Sequence, residues 1–204
     1  MPKETFFNLP HEKRERIIDA ALDEFSTYSF YKARVTAIAD NAGIAKGSFY
    51  QYFEDKKDLY KYIMEIIVEK KLSYINKDMM ANREKYGVFQ LIRETYLSGF
   101  RFAKKNPRLL PIGMMLAADR DLLQEIYGEN QDQNADFFKG LLKYGKERGE
   151  IDPSIDISLV SHMMVSLSFS LTEFVLEDGK MDMDDMEIID KMLYLVENGI
   201  KKRD

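Results

Sequence analysis

The sequence predicts an all-α protein: an N-terminal helix-turn-helix domain of three helices, followed by a larger helical domain. Three observations lead to this fold class. Nearly every apolar cluster repeats at the three- and four-residue spacing of a helix, and no stretch alternates with the period of two typical of strands. Two short helical segments meet at Gly43. Later segments are separated by proline or glycine, as at Pro107 and Gly149, which are typical of helix ends.

The composition indicates a soluble, globular chain. Its 204 residues, 45% of them hydrophobic, are enough for a sizeable core. No segment has the roughly 18 uninterrupted apolar residues that a membrane helix needs, and the N-terminal residues have no secretory pattern. Because the chain has no cysteine, disulfides and thiolate chemistry are excluded. We therefore expect a cytoplasmic protein without membrane contact.

The net charge of −5 does not exclude a nucleic-acid partner. Residues 1–62 carry ten basic and ten acidic side chains, so the acidic excess belongs to the rest of the chain. Between Lys32 and Lys57 there are five basic and three acidic residues. Affinity for DNA depends on the local field near the phosphates and not on the total charge.

The helices are expected between recognisable breaks. They are predicted at about residues 10–28, 35–42, 46–52, 56–80, 88–105, 131–148, 152–177 and 182–202, with short helical segments around 114–116 and 119–127. In the first of these, Ile17, Ala21 and Phe25 share one apolar face. We expect a domain boundary at residue 55, between a first domain of residues 1–55 and a second domain of residues 56–204.

The segment 35–56 carries the most information about function. Gly43 can take the positive φ that a sharp turn between helices requires. The inward side chains of the two short helices are small or apolar: Ile38, Ala39, Ala42, Phe49 and Phe53. A helix-turn-helix needs two short helices packed in this way. Asp55 is expected to be the N-cap of the next helix, with an acid three residues later.

The outward side chains of the second short helix suit DNA. Lys46 and Gln51 can reach base edges in a major groove, while the Tyr50 hydroxyl can reach a phosphate oxygen. Gly47 allows the sugar-phosphate chain to approach the backbone closely.

The run Ile38-Ala-x-x-Ala-Gly43-Ile-x-Lys46-Gly-Ser-Phe-Tyr50-x-Tyr-Phe53-x-x-Lys56-x-x-Leu59 resembles the DNA-binding signature of the TetR (tetracycline repressor) family of transcriptional regulators. The match covers roughly the first 65 residues. The resemblance implies that residues 1–55 are a DNA-binding domain and that residues 56–204 are an effector-binding and dimerisation domain. The resemblance implies that the recognition element comprises Lys46, Gly47, Ser48, Tyr50, Gln51 and Tyr52. It also implies that Lys56 binds a DNA phosphate and that Thr36 contacts the DNA backbone or a base. At Arg34 the family commonly has a capping Thr or Ser, so either another group caps that helix or Arg34 contacts phosphate.

The resemblance further implies an effector pocket in the second domain, and methionine and aromatic side chains suit an adaptable apolar cavity. We expect a small, largely hydrophobic effector, and no cofactor. The candidate pocket residues are Tyr96, Phe100, Met114, Met115, Phe137, Met163 and Phe169.

The last two helices resemble the pair that forms the family's dimeric four-helix bundle. Three serines permit close helix approach: Ser158, Ser161 and Ser168. An apolar seam is expected to face the partner: Met186, Ile189, Leu193, Val196 and Ile200. The implied function is a homodimeric repressor bound to palindromic operator DNA and released by its effector.

Other functions find less support in the residues. A phosphate loop at 43–48 fails because the order of glycine and lysine is wrong and no strand precedes it. The acid-rich segment Asp178 to Glu187 has its glycine misplaced for a calcium loop. His11 and His162 lack metal-ligand spacing, and we expect His162 to be a core histidine. We expect neither a metal site nor catalysis. The alternative function is a helical ligand-binding or protein-interaction module without specific DNA binding.

Overall fold

The computed structural model describes residues 1–128, 133–177 and 186–202, and all regular elements within these ranges are helical. The α-helices in chain order are α1 (Glu4–Phe7), α2 (His11–Thr27), α3 (Val35–Ala42), α4 (Lys46–Tyr52), α5 (Lys56–Leu72), α6 (Lys77–Ala81), α7 (Val88–Lys105), α8 (Leu110–Ala118), α9 (Arg120–Tyr127), α10 (Gln133–Glu147), α11 (Ile157–Glu177) and α12 (Met186–Ile200). A short 3₁₀ turn at Arg83–Lys85 precedes α7. The all-α prediction is confirmed.

The chain forms two compact units. The head unit comprises the described residues of Met1–Lys70 and Asn106–Glu129, and the body unit comprises those of Lys71–Lys105 and Asn130–Asp204. Packing therefore groups α8 and α9 with the N-terminal helices. The boundary predicted after Asp55 separates a DNA-binding domain from an effector-binding domain by function and not by packing. It stays a prediction.

In the head unit, α2, α3 and α5 supply most of the core. Ile38 and Ala39 of α3 are fully buried. The ring of Phe25 in α2 stands edge-on to Tyr60 of α5, with centroids 4.8 Å apart. From α8, the carbonyl of Ile112 accepts a hydrogen bond from the Tyr60 hydroxyl at 3.4 Å. Because Tyr60 is buried in this way, the pKa of its phenol is raised.

In the body unit, α7 is the central element of an apolar core. The Tyr96 hydroxyl donates a hydrogen bond to the Met164 carbonyl of α11 at 2.8 Å, and burial raises the Tyr96 pKa to about 12. The end of α12 is tied to the loop after α10 by two backbone hydrogen bonds. The Asp152 amide donates to the Ile200 carbonyl at 3.0 Å, and the Lys202 amide donates to the Glu150 carbonyl at 3.2 Å.

Two predicted helix boundaries are wrong, and in both places a polar side chain binds the backbone. The helix expected over residues 56–80 ends at Leu72. Asn76 begins a separate helix, because its side chain accepts a hydrogen bond from the Met79 amide at 3.0 Å. The helix expected from Asp152 begins instead at Ile157. Asp152 accepts from the Ser154 amide at 2.8 Å, and this local turn replaces the first helical turn.

The seam predicted on α12 packs largely against the body unit's own core, and its contact with a partner stays a prediction. Ile189 and Ile200 are buried there, and Leu193 and Val196 pack against the same cluster. The side chain of Met186 lies outside the described residues, as does the segment 178–185 with the expected start of the last helix.

His162 is exposed on α11, with Nδ1 2.9 Å from the Ser158 carbonyl oxygen, so the prediction of a core histidine is wrong. The three serines predicted for close helix approach differ in exposure. Ser161 is fully buried, Ser168 is half-buried and Ser158 is exposed.

Gly145 of α10 provides a test of the packing in the body unit. A Cβ at this position would lie 2.7 Å from Cδ1 of Ile151 and 2.9 Å from Cγ1 of Val88. We expect Gly145→Ala to lower the free energy of unfolding by about 1–3 kcal/mol, because the core has no room for the methyl group. Urea titration measures the change.

The matched control is Gly140→Ala in the same helix, where no atom lies within 4 Å of the new Cβ. This variant should be more stable than the parent by about 0.5–1 kcal/mol through helix propensity. Equal stabilities of the two variants would contradict the described packing of α10.

Candidate nucleic-acid interface

The turn between α3 and α4 has the geometry that its glycine predicts. Gly43 has φ 67° and ψ 38°, in the left-handed region. The Ile44 amide donates a hydrogen bond to the Ala39 carbonyl at 3.0 Å, and the Gly43 amide donates to the Asp40 carbonyl at 3.1 Å. These bonds satisfy carbonyls at the end of α3 and turn the chain sharply into α4.

Helix α4 is held from behind by two aromatic side chains and presents a polar side to solvent. Phe49 and Phe53 have no exposed surface, and their ring centroids are 5.2 Å apart. On the other side, Lys46, Gly47 and Gln51 are exposed, and Tyr50 exposes 44% of its surface. The arrangement expected of a recognition helix is therefore present.

Two further predicted contacts lie beside this surface. Thr36 is exposed in the first turn of α3. Ser48 of α4 is half-buried. Their contacts with DNA stay predictions.

Tyr52, by contrast, turns towards the protein. Only 6% of its surface is exposed. Its ring centroid lies 6.4 Å from that of Phe6, and the Lys13 ammonium lies 5.6 Å from the Tyr52 ring. The residue thus has a packing role, and its contact with DNA stays a prediction.

Lys56 also has an internal role. Its ammonium donates hydrogen bonds to the carbonyls of Phe30 at 2.6 Å and Ala33 at 2.9 Å, with a longer contact to Tyr31 at 3.4 Å. It also lies 4.6 Å from the Phe30 ring centroid. An ammonium has three protons to donate, so these carbonyls occupy all of them. Lys56 therefore closes the loop between α2 and α3. The phosphate contact implied by the resemblance is untested, and the occupied protons argue against it.

Glu24 supports the same loop. Its carboxylate is buried and accepts a hydrogen bond from the backbone amide of Arg34 at 2.8 Å, just before α3. Arg34 makes no side-chain capping bond, so the α3 start is held by Glu24 of α2. Desolvation lowers the Lys56 pKa, and the nearby charge of Glu24 partly opposes this shift. The side chain of Arg34 is exposed, and a phosphate contact there stays a prediction.

The start of α5 confirms the expected N-cap. Asp55 accepts a hydrogen bond from the Asp58 amide at 2.8 Å. Asp58 reaches back to accept one from the Glu54 amide at 3.1 Å. This reciprocal arrangement resembles a capping box and fixes where α5 leaves the recognition element.

The sequence reasoning missed α1, which contacts the end of α4. The Lys3 amide donates a hydrogen bond to the Tyr52 carbonyl at 2.8 Å. Phe6 of α1 is fully buried. The sequence signal for this packed segment was the adjacent pair Phe6 and Phe7, which are large apolar residues among mostly polar N-terminal neighbours. Four helical residues are too few to show a periodic pattern.

The predicted effector-pocket residues are divided between the units. Met114 and Met115 are half-buried in the head unit. In the body unit Tyr96 is buried, and Phe100 packs against the same core. The remaining three differ: Phe169 is half-buried, whereas Phe137 and Met163 are 38% and 54% exposed. The seven-residue pocket stays a prediction.

The described part of the chain has neither the side-chain cluster of a metal site nor a helix suited to a membrane. No group of three or more histidine, aspartate or glutamate side chains there could hold a metal ion. No helix there is both long enough and apolar enough to cross a membrane.

Comparison with known proteins identifies related chains. Residues 17–63 match the model of a family described as bacterial regulatory proteins, tetR family. A solved TetR family transcriptional regulator from Chloroflexus aurantiacus J-10-FL is 30% identical, with both chains covered in full and a TM-score of 0.74. The fatty acid metabolism regulator protein of Bacillus subtilis (strain 168) is 24% identical over 193 residues, covering 94% of this chain and 97% of that protein. The fold is shared with the B. subtilis regulator FadR, solved in complex with stearoyl-CoA, at 24% identity and a TM-score of 0.72 over 91% of this chain and 98% of that one.

The two lysines of the interface are expected to act differently. In Lys56→Met the loop carbonyls lose their charged donor, and we expect the free energy of unfolding to fall by about 1.5–3 kcal/mol. The salt dependence of DNA binding should not change. In the control Lys46→Met, stability should be retained, and the slope of log K against log salt should decrease by about 0.9 per subunit.

Urea unfolding and fluorescence anisotropy at several salt concentrations measure both quantities. A smaller slope for Lys56→Met at unchanged stability would assign Lys56 to the phosphate contacts instead.

Proposed function

Because the chain belongs to the TetR family of DNA-binding transcriptional regulators, we propose that it represses transcription by binding one palindromic operator as a homodimer. The observation that carries this proposal is the polar side of α4, exposed over buried Phe49 and Phe53. Since a repressor must reach the chromosome, the proposal also places the protein in the cytoplasm.

The proposed contacts follow from exposure and chemistry. Gln51 is the candidate base reader, because its amide can pair with an adenine edge in the major groove. Lys46 and Tyr50 lie on the same exposed side and can reach phosphates or bases. Gly47 leaves the backbone open to close approach, with no atom within 4 Å of a Cβ built there.

Selection of bound DNA from a random pool, with the purified full chain, tests this function. A palindrome should be enriched, with half-sites about 34 Å apart, because two heads read successive major grooves. Gln51→Ala should then relax the preference at one or two positions by about 1–3 kcal/mol. Gln124→Ala, an exposed glutamine on α9, is the matched control and should leave the preference unchanged.

If the parent protein enriches no sequence, operator recognition is contradicted. The helical ligand-binding or protein-interaction module then becomes the better description. Unchanged preference in Gln51→Ala would remove this residue from the base contacts.

Exposed apolar side chains on the last two helices support the proposed dimer. On α11, Leu159 and Met163 stand one turn apart and are 60% and 54% exposed. On α12, Tyr194 and Leu195 are 67% and 73% exposed. Apolar surface of this kind on a helix that already packs its other side into a core is typical of an interface. The proposed dimer therefore uses these exposed sides.

We expect Leu195→Glu to convert the dimer into a monomer, because a carboxylate would be buried against apolar surface without a partner. Light scattering after size-exclusion chromatography measures the mass. The control Gln124→Glu adds the same charge at an exposed position of α9 and should remain dimeric. A parent protein that is monomeric, or a Leu195→Glu variant that dimerises normally, would contradict this interface.

The proposed effector is a small molecule with a long acyl chain, which releases the operator. The support for this class is the similarity to the fatty acid metabolism regulator protein and to the FadR structure containing stearoyl-CoA. The half-buried Met114 and Met115 offer flexible apolar side chains of the kind that accommodate such a chain.

Stearoyl-CoA added to the complex with labelled operator tests this effector class. Operator affinity should fall by about 5–150-fold, the usual range of coupling between two sites. Coenzyme A without the acyl chain is the control and should have no effect. Tighter binding with stearoyl-CoA would contradict release, and an equal effect of coenzyme A would exclude the acyl chain as the determinant.

A further inference from the structure

The end of α4 has a second support besides the two phenylalanines behind it. A helix leaves its last carbonyls without partners inside the helix. Here consecutive carbonyls of the last turn accept hydrogen bonds from the segment before α2. The Lys3 ammonium donates to Tyr50 at 2.8 Å, the Thr5 hydroxyl donates to Gln51, and the Lys3 amide donates to Tyr52 at 2.8 Å.

The donors are themselves held in place. Phe6 lies between Lys3 and the start of α2 and has no exposed surface. Its ring centroid is 4.9 Å from that of Phe53 and 5.5 Å from that of Tyr62, in α5. The side chains of Lys3 and Thr5 therefore start from an anchored backbone. The positive charge of Lys3 also lies at the carbonyl end of α4, where the helix dipole favours it.

The length of α4 makes this support important. The helix has seven residues, and a helix of two turns is not stable by itself in water. Its orientation therefore depends on what holds each end. Gln51 stands next to the supported carbonyls, and base recognition depends on hydrogen bonds that weaken steeply with distance and angle.

We propose that residues 3–6 are a positioning element for base recognition. Lys3 and Thr5 fix the last turn of α4, and through it they orient the side chains of Tyr50 and Gln51. This inference rests on the proposed operator recognition. It adds residues outside the helix-turn-helix, and they act through α4 without requiring a contact of their own with the bases.

Thr5→Val tests the proposal with almost no change in shape or charge. The control is Thr95→Val, which removes a hydroxyl bonded to the Leu91 carbonyl at 2.9 Å in the body unit. Two quantities are measured for the full chain. One is the ratio of affinities for the selected operator and for operators with one base pair changed. The other is amide hydrogen exchange of residues 49–53 without DNA.

We expect Thr5→Val to reduce the discrimination between these operators about threefold to tenfold, the usual effect of one hydrogen bond. Affinity for unrelated DNA and the salt slope should stay at the parent values. Exchange should become faster in the last turn of α4 and not elsewhere. Lys3→Met should have the same effect on discrimination and exchange. Thr95→Val should change neither.

Parent-like discrimination and exchange in both Thr5→Val and Lys3→Met would overturn the proposal. A uniform loss of affinity on all DNA at unchanged discrimination would also overturn it, since that is the signature of a lost phosphate contact. If the parent protein selects no operator, the proposed function fails. The exchange measurement then decides separately whether residues 3–6 hold α4.

Discussion

The burial of Phe49 and Phe53 behind α4 is the interaction on which the recognition surface depends. A seven-residue helix cannot maintain its own direction, so its inner face must be held by packing. The two rings, four residues apart, supply that packing and leave the opposite side of the helix polar and accessible. The left-handed Gly43 sets the angle at which α4 begins. The same helix thus has one side that packs into the core and one side that is available for the proposed DNA contacts.

Charged groups inside the head unit stabilise the loop before α3. Glu24 binds the Arg34 amide, and Lys56 donates to the carbonyls of Phe30 and Ala33. A buried charge without a partner would be destabilising, and here each charge is satisfied by backbone groups. The loop therefore holds α3 in a defined position without a regular element of its own. This use of Lys56 separates it from Lys46, which begins α4 and is exposed.

The last helices of the body unit have two apolar sides. On α12, Ile189 and Ile200 complete the body's core, while Tyr194 and Leu195 face outward. Within the described residues of one subunit, only the side with Ile189 and Ile200 is covered by other helices. A palindromic operator requires two heads, so a second copy on the outer side would give the exposed residues a partner and the DNA two recognition helices. The exposed side of α12 and the proposed operator therefore both support the proposed dimer.

The sequence alone determined the helix-turn-helix, because its signals are local. Gly43, the phenylalanine pair and the polar side of α4 act within one or two turns of chain, and the bounds of α3 and α4 agree with the prediction. The tertiary structure decided the roles of Lys3, Thr5, Tyr52 and Lys56, because their partners lie tens of residues away. It also decided which side of α12 is buried. Helical periodicity shows that a side is apolar, but only packing shows whether the chain itself covers that side.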